Sequence, residues 1–136
     1  MRWDAVARAT SQKVAEHPVI QGIYGNVVRM ASPAARHEVP ALEYRIISDS
    51  EMEQWVPIIF QWDQWTNTYA ELAASERVLY EMFHQEAEVF FGDVMVLTRW
   101  LDGMELADPD RQGYFGRAVR FRVVAIADRY VAESNS

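Results

Sequence analysis

EQWVPIIFQWDQWTNTYAELAASERVLYEMFHQE, residues 53–86, decides the fold of this 136-residue chain. Its first part, from Glu53 to Trp65, is rich in β-branched and aromatic residues and reads as a strand. Three of the five tryptophans, Trp55, Trp62 and Trp65, belong to it. Pro57 has no backbone donor, so this part of the strand is expected near a sheet edge or a bulge. Behind it, Thr68 is placed to cap a helix, with Glu71 three residues on completing a capping box. Tyr69, Leu72, Leu79, Met82 and Phe83 form the expected apolar stripe of that helix, and Glu71, Arg77 and Glu81 face away. The helix is expected to run to a glycine stop near Gly92. A strand feeding an amphipathic helix sets the class as α+β.

The flanking sequence supplies the partners. Residues 3–16 carry Trp3, Val6, Ala7, Thr10 and Val14 near one helical face, and His17-Pro18 stops that helix. Gly22 and Gly25 are expected to bracket a turn before a short strand at Val27–Met30, and residues 31–38 to form a loop that closes on Val39-Pro40. In ALEYRII, residues 41–47, Leu42, Tyr44 and Ile46 alternate with Glu43 and Arg45, as in a half-buried strand. That strand should pair antiparallel with the opening one across a turn at 48–51. VMVLTRWL, 94–101, makes a fourth strand ended by the turn signal Asp102-Gly103. The connection 104–116 leads to a fifth, RAVRFRVVAIA, where Val119, Phe121 and Val123 alternate with Arg120 and Arg122. The chain frays from about 131. The expected architecture is a mostly antiparallel sheet of about four to five strands packed with two helices, one domain over 1–136.

Half of the residues are apolar and there are no cysteines, which excludes disulfides and thiolate chemistry and fits a cytoplasmic setting. No apolar run approaches the roughly 18 residues of a membrane span, and the N-terminus lacks the apolar core of a signal peptide. The net charge of −7 is uneven. Residues 1–36 carry five cations against two anions, residues 37–110 three against sixteen, and residues 111–136 five against two. An acidic middle with arginine-bearing ends argues against general nucleic-acid binding, which needs a basic face. It reads either as a solvated surface or as complementary contact between identical copies.

Sites for chemistry are sparse. His84 and Glu88 share a helical face at i,i+4, but with no further histidine nearby they read as a solvated pair rather than a metal site. Residues 108–113, DPDRQG, imitate the start of a calcium loop, yet position twelve is Val119 instead of a glutamate, so a turn-rich loop is preferred. Trp62-Asp63-x-Trp65 can be a sugar-stacking platform, or can supply Asp63 to an acid–base pair with His84 in a small ligand-binding or cyclase/hydrolase-like α+β enzyme. That reading requires a closed pocket holding both groups. The glycines form no phosphate loop, and Lys13 is the sole lysine.

The order of these features resembles the tail terminator (tail completion) proteins of long-tailed bacteriophages and gene transfer agents. The matching parts are the N-terminal helix before Gly22-Ile23-Tyr24-Gly25, the Val39-Pro40 approach to the strand Leu42–Ile47, the strand end Phe60-Gln61-Trp62-Asp63-Gln64-Trp65, the Thr68 helix, and Asp108-Pro109 through Gly113-Tyr114 before a final alternating strand. Its tryptophan density exceeds that pattern. The resemblance implies a non-enzymatic structural protein without cofactor that forms a hexameric ring. The ring caps the tail tube and offers a face to the head connector, with DNA passing through unheld. It implies partners in copies of itself, the tail tube protein and the head-completion protein, no membrane, and a place at the neck end of the virion tail after assembly in the host cytoplasm. The assembly contact is expected on a 98–117 loop: Trp100, Met104, Leu106, Tyr114 and Phe115 are too apolar for a free loop of that length. Arg117, Arg120 and Arg122 are expected to dock against acidic neighbours.

Overall fold

The computed structural model describes residues 3–25, 27–31, 39–47, 58–84, 89–91, 94–107 and 111–128. Within them the chain forms α1 (Trp3–Glu16), α2 (Pro18–Tyr24), β1 (Val28–Met30), β2 (Ala41–Ile46), β3 (Ile58–Thr66), α3 (Tyr69–Phe83), β4 (Val89–Phe91), β5 (Val94–Glu105) and β6 (Phe115–Asp128). The strands make one six-stranded sheet in the order β1-β2-β3-β6-β5-β4, antiparallel except for the edge pair β1-β2. The α+β class is as expected, with one more helix and one more strand.

Alternation sorts the sheet into two faces. Leu42 and Tyr44 of β2, Phe60 and Trp62 of β3, and Val119, Phe121 and Val123 of β6 are buried in one core with Ala7 and Val14 of α1, Ile20 and Tyr24 of α2, and Val78, Leu79 and Phe83 of α3. All three helices therefore cover the same face. Trp62 is fully buried and packs on Tyr44, Phe60 and Phe83 with ring centroids 5.3–6.3 Å apart. The other face carries Glu43, Arg45, Gln61, Asp63, Trp65, Arg120 and Arg122, and among the described residues no helix lies on it.

Several local expectations are revised. β3 is paired to β6 over Ile58–Thr66 and to β2 over Phe60–Trp65, and the part at Pro57 expected near an edge or bulge precedes this span. Pro57 and Trp55 lie outside the described residues, as do the expected turn at 48–51, the loop 32–38 and the tail from 131. Pro18 stops α1 but also starts α2, because a proline at the first helical position loses no hydrogen bond; Ile20–Tyr24 is thus helical, and Gly22 sits within that helix instead of bracketing a turn. The α3 cap forms as read, the Thr68 hydroxyl accepting from the Glu71 amide at 3.1 Å and donating to its carboxylate at 3.0 Å. The helix ends at Phe83, not near Gly92. His84 leaves the helical region (φ −89°, ψ 74°), and Val89–Phe91, with its β-branched and aromatic side chains, joins the sheet edge beside Val94–Val96.

The Asp102-Gly103 turn does not form. β5 continues through it to Glu105, and a register shift between Trp100 and Asp102 absorbs Leu101 as an extra residue. Such a bulge re-aims the side chains beyond it. Asp102 thereby falls beside Arg120 on the open face, and Gly103 faces the helices, where a Cβ would stand 2.6 Å from the Arg117 guanidinium. The expected 98–117 loop is largely the arms of a long hairpin.

Candidate functional site

α3 has two stripes. Leu72, Ser75, Val78, Leu79 and Phe83 enter the core, where Ser75 accepts a 2.6 Å hydrogen bond from the Tyr24 phenol. Burial raises that phenol well above its ordinary range, so it stays a neutral donor. The second stripe, Tyr69, Ala73, Glu76, Arg77 and Tyr80, faces the β5–β6 hairpin across an open groove of about 1010 Å³. The far wall is Trp100, Glu105, Leu106, Tyr114, Phe115, Gly116 and Arg117. Tyr69 is 68 % exposed, so it belongs to this groove and not to the core stripe in which the heptad-like spacing places it.

The groove is aromatic and braced. Tyr69 meets Phe115 edge-on at 6.2 Å, and Tyr80 stands edge-on to Trp100 at 5.3 Å while stacking on His84 at 4.7 Å. Arg117 ion-pairs with Glu76 across the floor, tying α3 to β6. Of the residues expected to carry assembly contacts, Trp100, Leu106, Tyr114, Phe115 and Arg117 are gathered here. Met104 is exposed, but it pairs with Ala118 on the other face of the sheet. Arg120 and Arg122 also lie on that open face.

On the open face the charges are arranged in cross-strand rows. Glu43 and Asp63 are direct neighbours in the β2-β3 register, a like-charge pair that costs stability unless it is neutralised. Arg111 (3.2 Å) and Arg29 (3.4 Å) hold Glu43, while Arg45 and Gln61, both at 2.6 Å, hold Asp63. Arg111 is buried and lies 4.6 Å from the centroid of the Trp65 ring, which in turn lies on Gly116, where no Cβ fits. In the next row Arg120 grips Asp102 with both Nε and a terminal nitrogen, which holds that carboxyl below its usual range. In the row after, Arg99 and Arg122 face each other across β5-β6, with Ile59 alongside on β3. Among the described residues neither arginine has an ion-pair partner.

The expected acid–base pair is not assembled. Asp63 is on the open face with Arg45, whereas His84 follows α3 on the other side and accepts a hydrogen bond from the Trp100 amide at 3.2 Å. Trp62 and Trp65 are too buried to stack a sugar. Glu88 and residues 108–110, on which the metal and calcium readings leaned, lie outside the described residues. No cluster of three potential metal ligands occurs among the described residues, and no described helix is long and apolar enough to cross a membrane. Tyr69, Tyr80 and Arg99 were missed by sequence reasoning. The i,i+3/i+4/i+7/i+11 run from Tyr69 through Leu72, Ala73 and Glu76 to Tyr80 was the available signal for the groove stripe.

No protein-family model matches the chain, and no curated protein sequence matches it. Among solved structures its fold is similar to that of a chain in the virion of a native gene transfer agent particle. The TM-score is 0.60 at 13% identity, over 89% of this chain and 97% of that one. At that identity the likeness is one of fold.

Proposed function

We propose that residues 1–136 form one tail-terminator-like unit, a structural virion protein that assembles as a homohexameric ring. The ring caps a phage-type tail tube, ends its growth and presents a docking face to the head connector. The observation that carries this reading is the fold likeness to a gene transfer agent virion chain, which runs nearly end to end in both chains. Its partners are further copies of itself, the tail tube protein and the head-completion protein. It acts at the neck end of the virion tail after assembly in the host cytoplasm, and it needs no cofactor. A chain of net charge −7 suits a ring through which DNA passes without being held.

The α3–hairpin groove is the assembly contact in this reading. A ring joins unlike patches of successive copies, and exposed Tyr69, Tyr80, Tyr114 and Phe115 are the residue types enriched at such contacts. Native mass measurement and negative-stain imaging, on the free chain and on tube ends, are expected to give six copies in a ring. Tyr114→Ala combined with Phe115→Ala should dissociate that ring by light scattering and leave the unfolding midpoint nearly unchanged, because both side chains are exposed. A doubly substituted ring of unchanged mass removes the groove from the interface.

A further inference from the structure

From a row of the open face that is not neutralised among the described residues, we infer that Arg99 and Arg122 receive the groove-rim carboxylate Glu105 of the next copy. The inference rests on the ring reading above and assigns the second half of its interface. Like charges directly opposite on neighbouring strands repel. In the other two rows the charges are matched within the chain: the like pair Glu43 and Asp63 by Arg111 and Arg45, and Arg120 by the Asp102 opposite it. Arg99 and Arg122 are both exposed, stand opposite each other in register, and have no such relief among the described residues.

The occupant follows from charge, shape and placement. Two guanidinium groups side by side offer forked donors to a carboxylate. Glu105 is an exposed groove-rim carboxylate with no ion-pair partner among the described residues, although it sits opposite Arg117 in register, because Arg117 is engaged by Glu76. Along their own row the ground is apolar: Ile59 is beside Arg122, and Ile47, 37 % exposed, donates its amide to Ile59. That surface suits an aromatic rim such as Tyr114. Finally, the two patches lie on opposite faces of one sheet, so a contact between them is head-to-tail and propagates in one rotational sense, as a ring requires. A nucleic-acid phosphate offers similar acceptors, but two arginines beside a row already matched by Asp102 fall short of the basic face that nucleic-acid binding needs, which leaves a neighbouring carboxylate favoured.

Two charge-reversed variants test the pairing: Arg99→Glu with Arg122→Glu, and Glu105→Arg. By sedimentation at low ionic strength, each alone should associate about tenfold or more weakly than the unaltered chain, since each places like charges across the contact. An equal mixture should recover the assembly, because alternating copies restore an opposite-charge contact at every interface. All substituted residues are exposed, and an unchanged thermal midpoint verifies that folding is intact. Rings that persist in the reversed variants, or a mixture no better than either variant, overturn the pairing and leave the ring reading standing. Unchanged self-association with lost binding to a duplex oligonucleotide assigns the arginines to phosphate and overturns it too. If the unaltered chain sediments only as a monomer, the pairing fails, and negative-stain images of tube ends judge the ring reading separately.

Discussion

On the helix side of β6, Val119, Phe121 and Val123 are shut away from water beneath α3; one residue out of phase, Ala118, Arg120 and Arg122 pass from buried to exposed along the open side. The first face is held by apolar burial, which is insensitive to direction, and its neighbours are aromatic rings such as Phe83 at 4.9 Å from Phe121. The second is held by directional guanidinium–carboxylate contacts whose worth falls as exposure rises. A gradient therefore runs along the open face, from buried Arg111 to exposed Arg122. Where the charges are buried and matched, removing one partner is costly to the fold, and where they are exposed and unmatched they are available to a partner.

The contrast can be broken most severely from the core side. Trp62→Ala removes the largest fully buried side chain and should cost about 3–5 kcal/mol in denaturant unfolding. At the buried end of the open face, Arg111→Ala should cost about 3 kcal/mol. That is the low end for a broken buried pair, because Glu43 keeps Arg29. A double-mutant cycle sharpens the point: Arg111→Met together with Glu43→Leu should recover much of the loss, since a buried ion pair can be exchanged for apolar packing at little net cost. A loss no smaller in the double variant contradicts an electrostatic origin.

The smallest effect lies at Asp102, half open to water with its partner Arg120. Arg120 lowers the folded-state value of Asp102 below the ordinary 3.8. The pair's contribution is present above that pH and is lost as pH falls through the depressed folded value. Asp102→Asn should therefore flatten stability against pH only on the acid limb, by about 0.2–1 kcal/mol, and less in high salt. A difference between the two proteins that persists undiminished below the depressed folded value would contradict the pairing.

Much of this contrast was legible in the sequence, and its limits have physical causes. The alternations Leu42–Tyr44–Ile46 and Val119–Phe121–Val123 place both faces correctly because the apolar side chains gather beneath the helices while the charged ones take the open side, even where Glu43 is itself buried. The Thr68 cap is legible because the groups that make it are local. The end of α3 was not, since no glycine marks it: Phe83 completes the core stripe, and the pull on Val89–Phe91 is a partner strand across the sheet edge. Asp102-Gly103 misled because its local preference is a turn, and that preference lost to Arg120 and Arg117, residues distant in sequence. The groove aromatics Trp100, Tyr114 and Phe115 stood out by composition. Arg99 did not, because its place opposite Arg122 depends on a register that only the paired strands define.

The extra residue at Leu101 gives β5 two phases. Upstream of it, even-numbered Thr98 and Trp100 share the face beneath the helices; downstream, odd-numbered Gly103 and Glu105 do. Loss of that one residue would turn 102–105 over together, carrying the Asp102 carboxylate into the apolar layer and Glu105 away from the rim. A one-residue change in chain length there thus equals four simultaneous substitutions, whereas a two-residue change would keep every side chain on its own face. In this hairpin, drift in length is constrained more tightly than drift in composition.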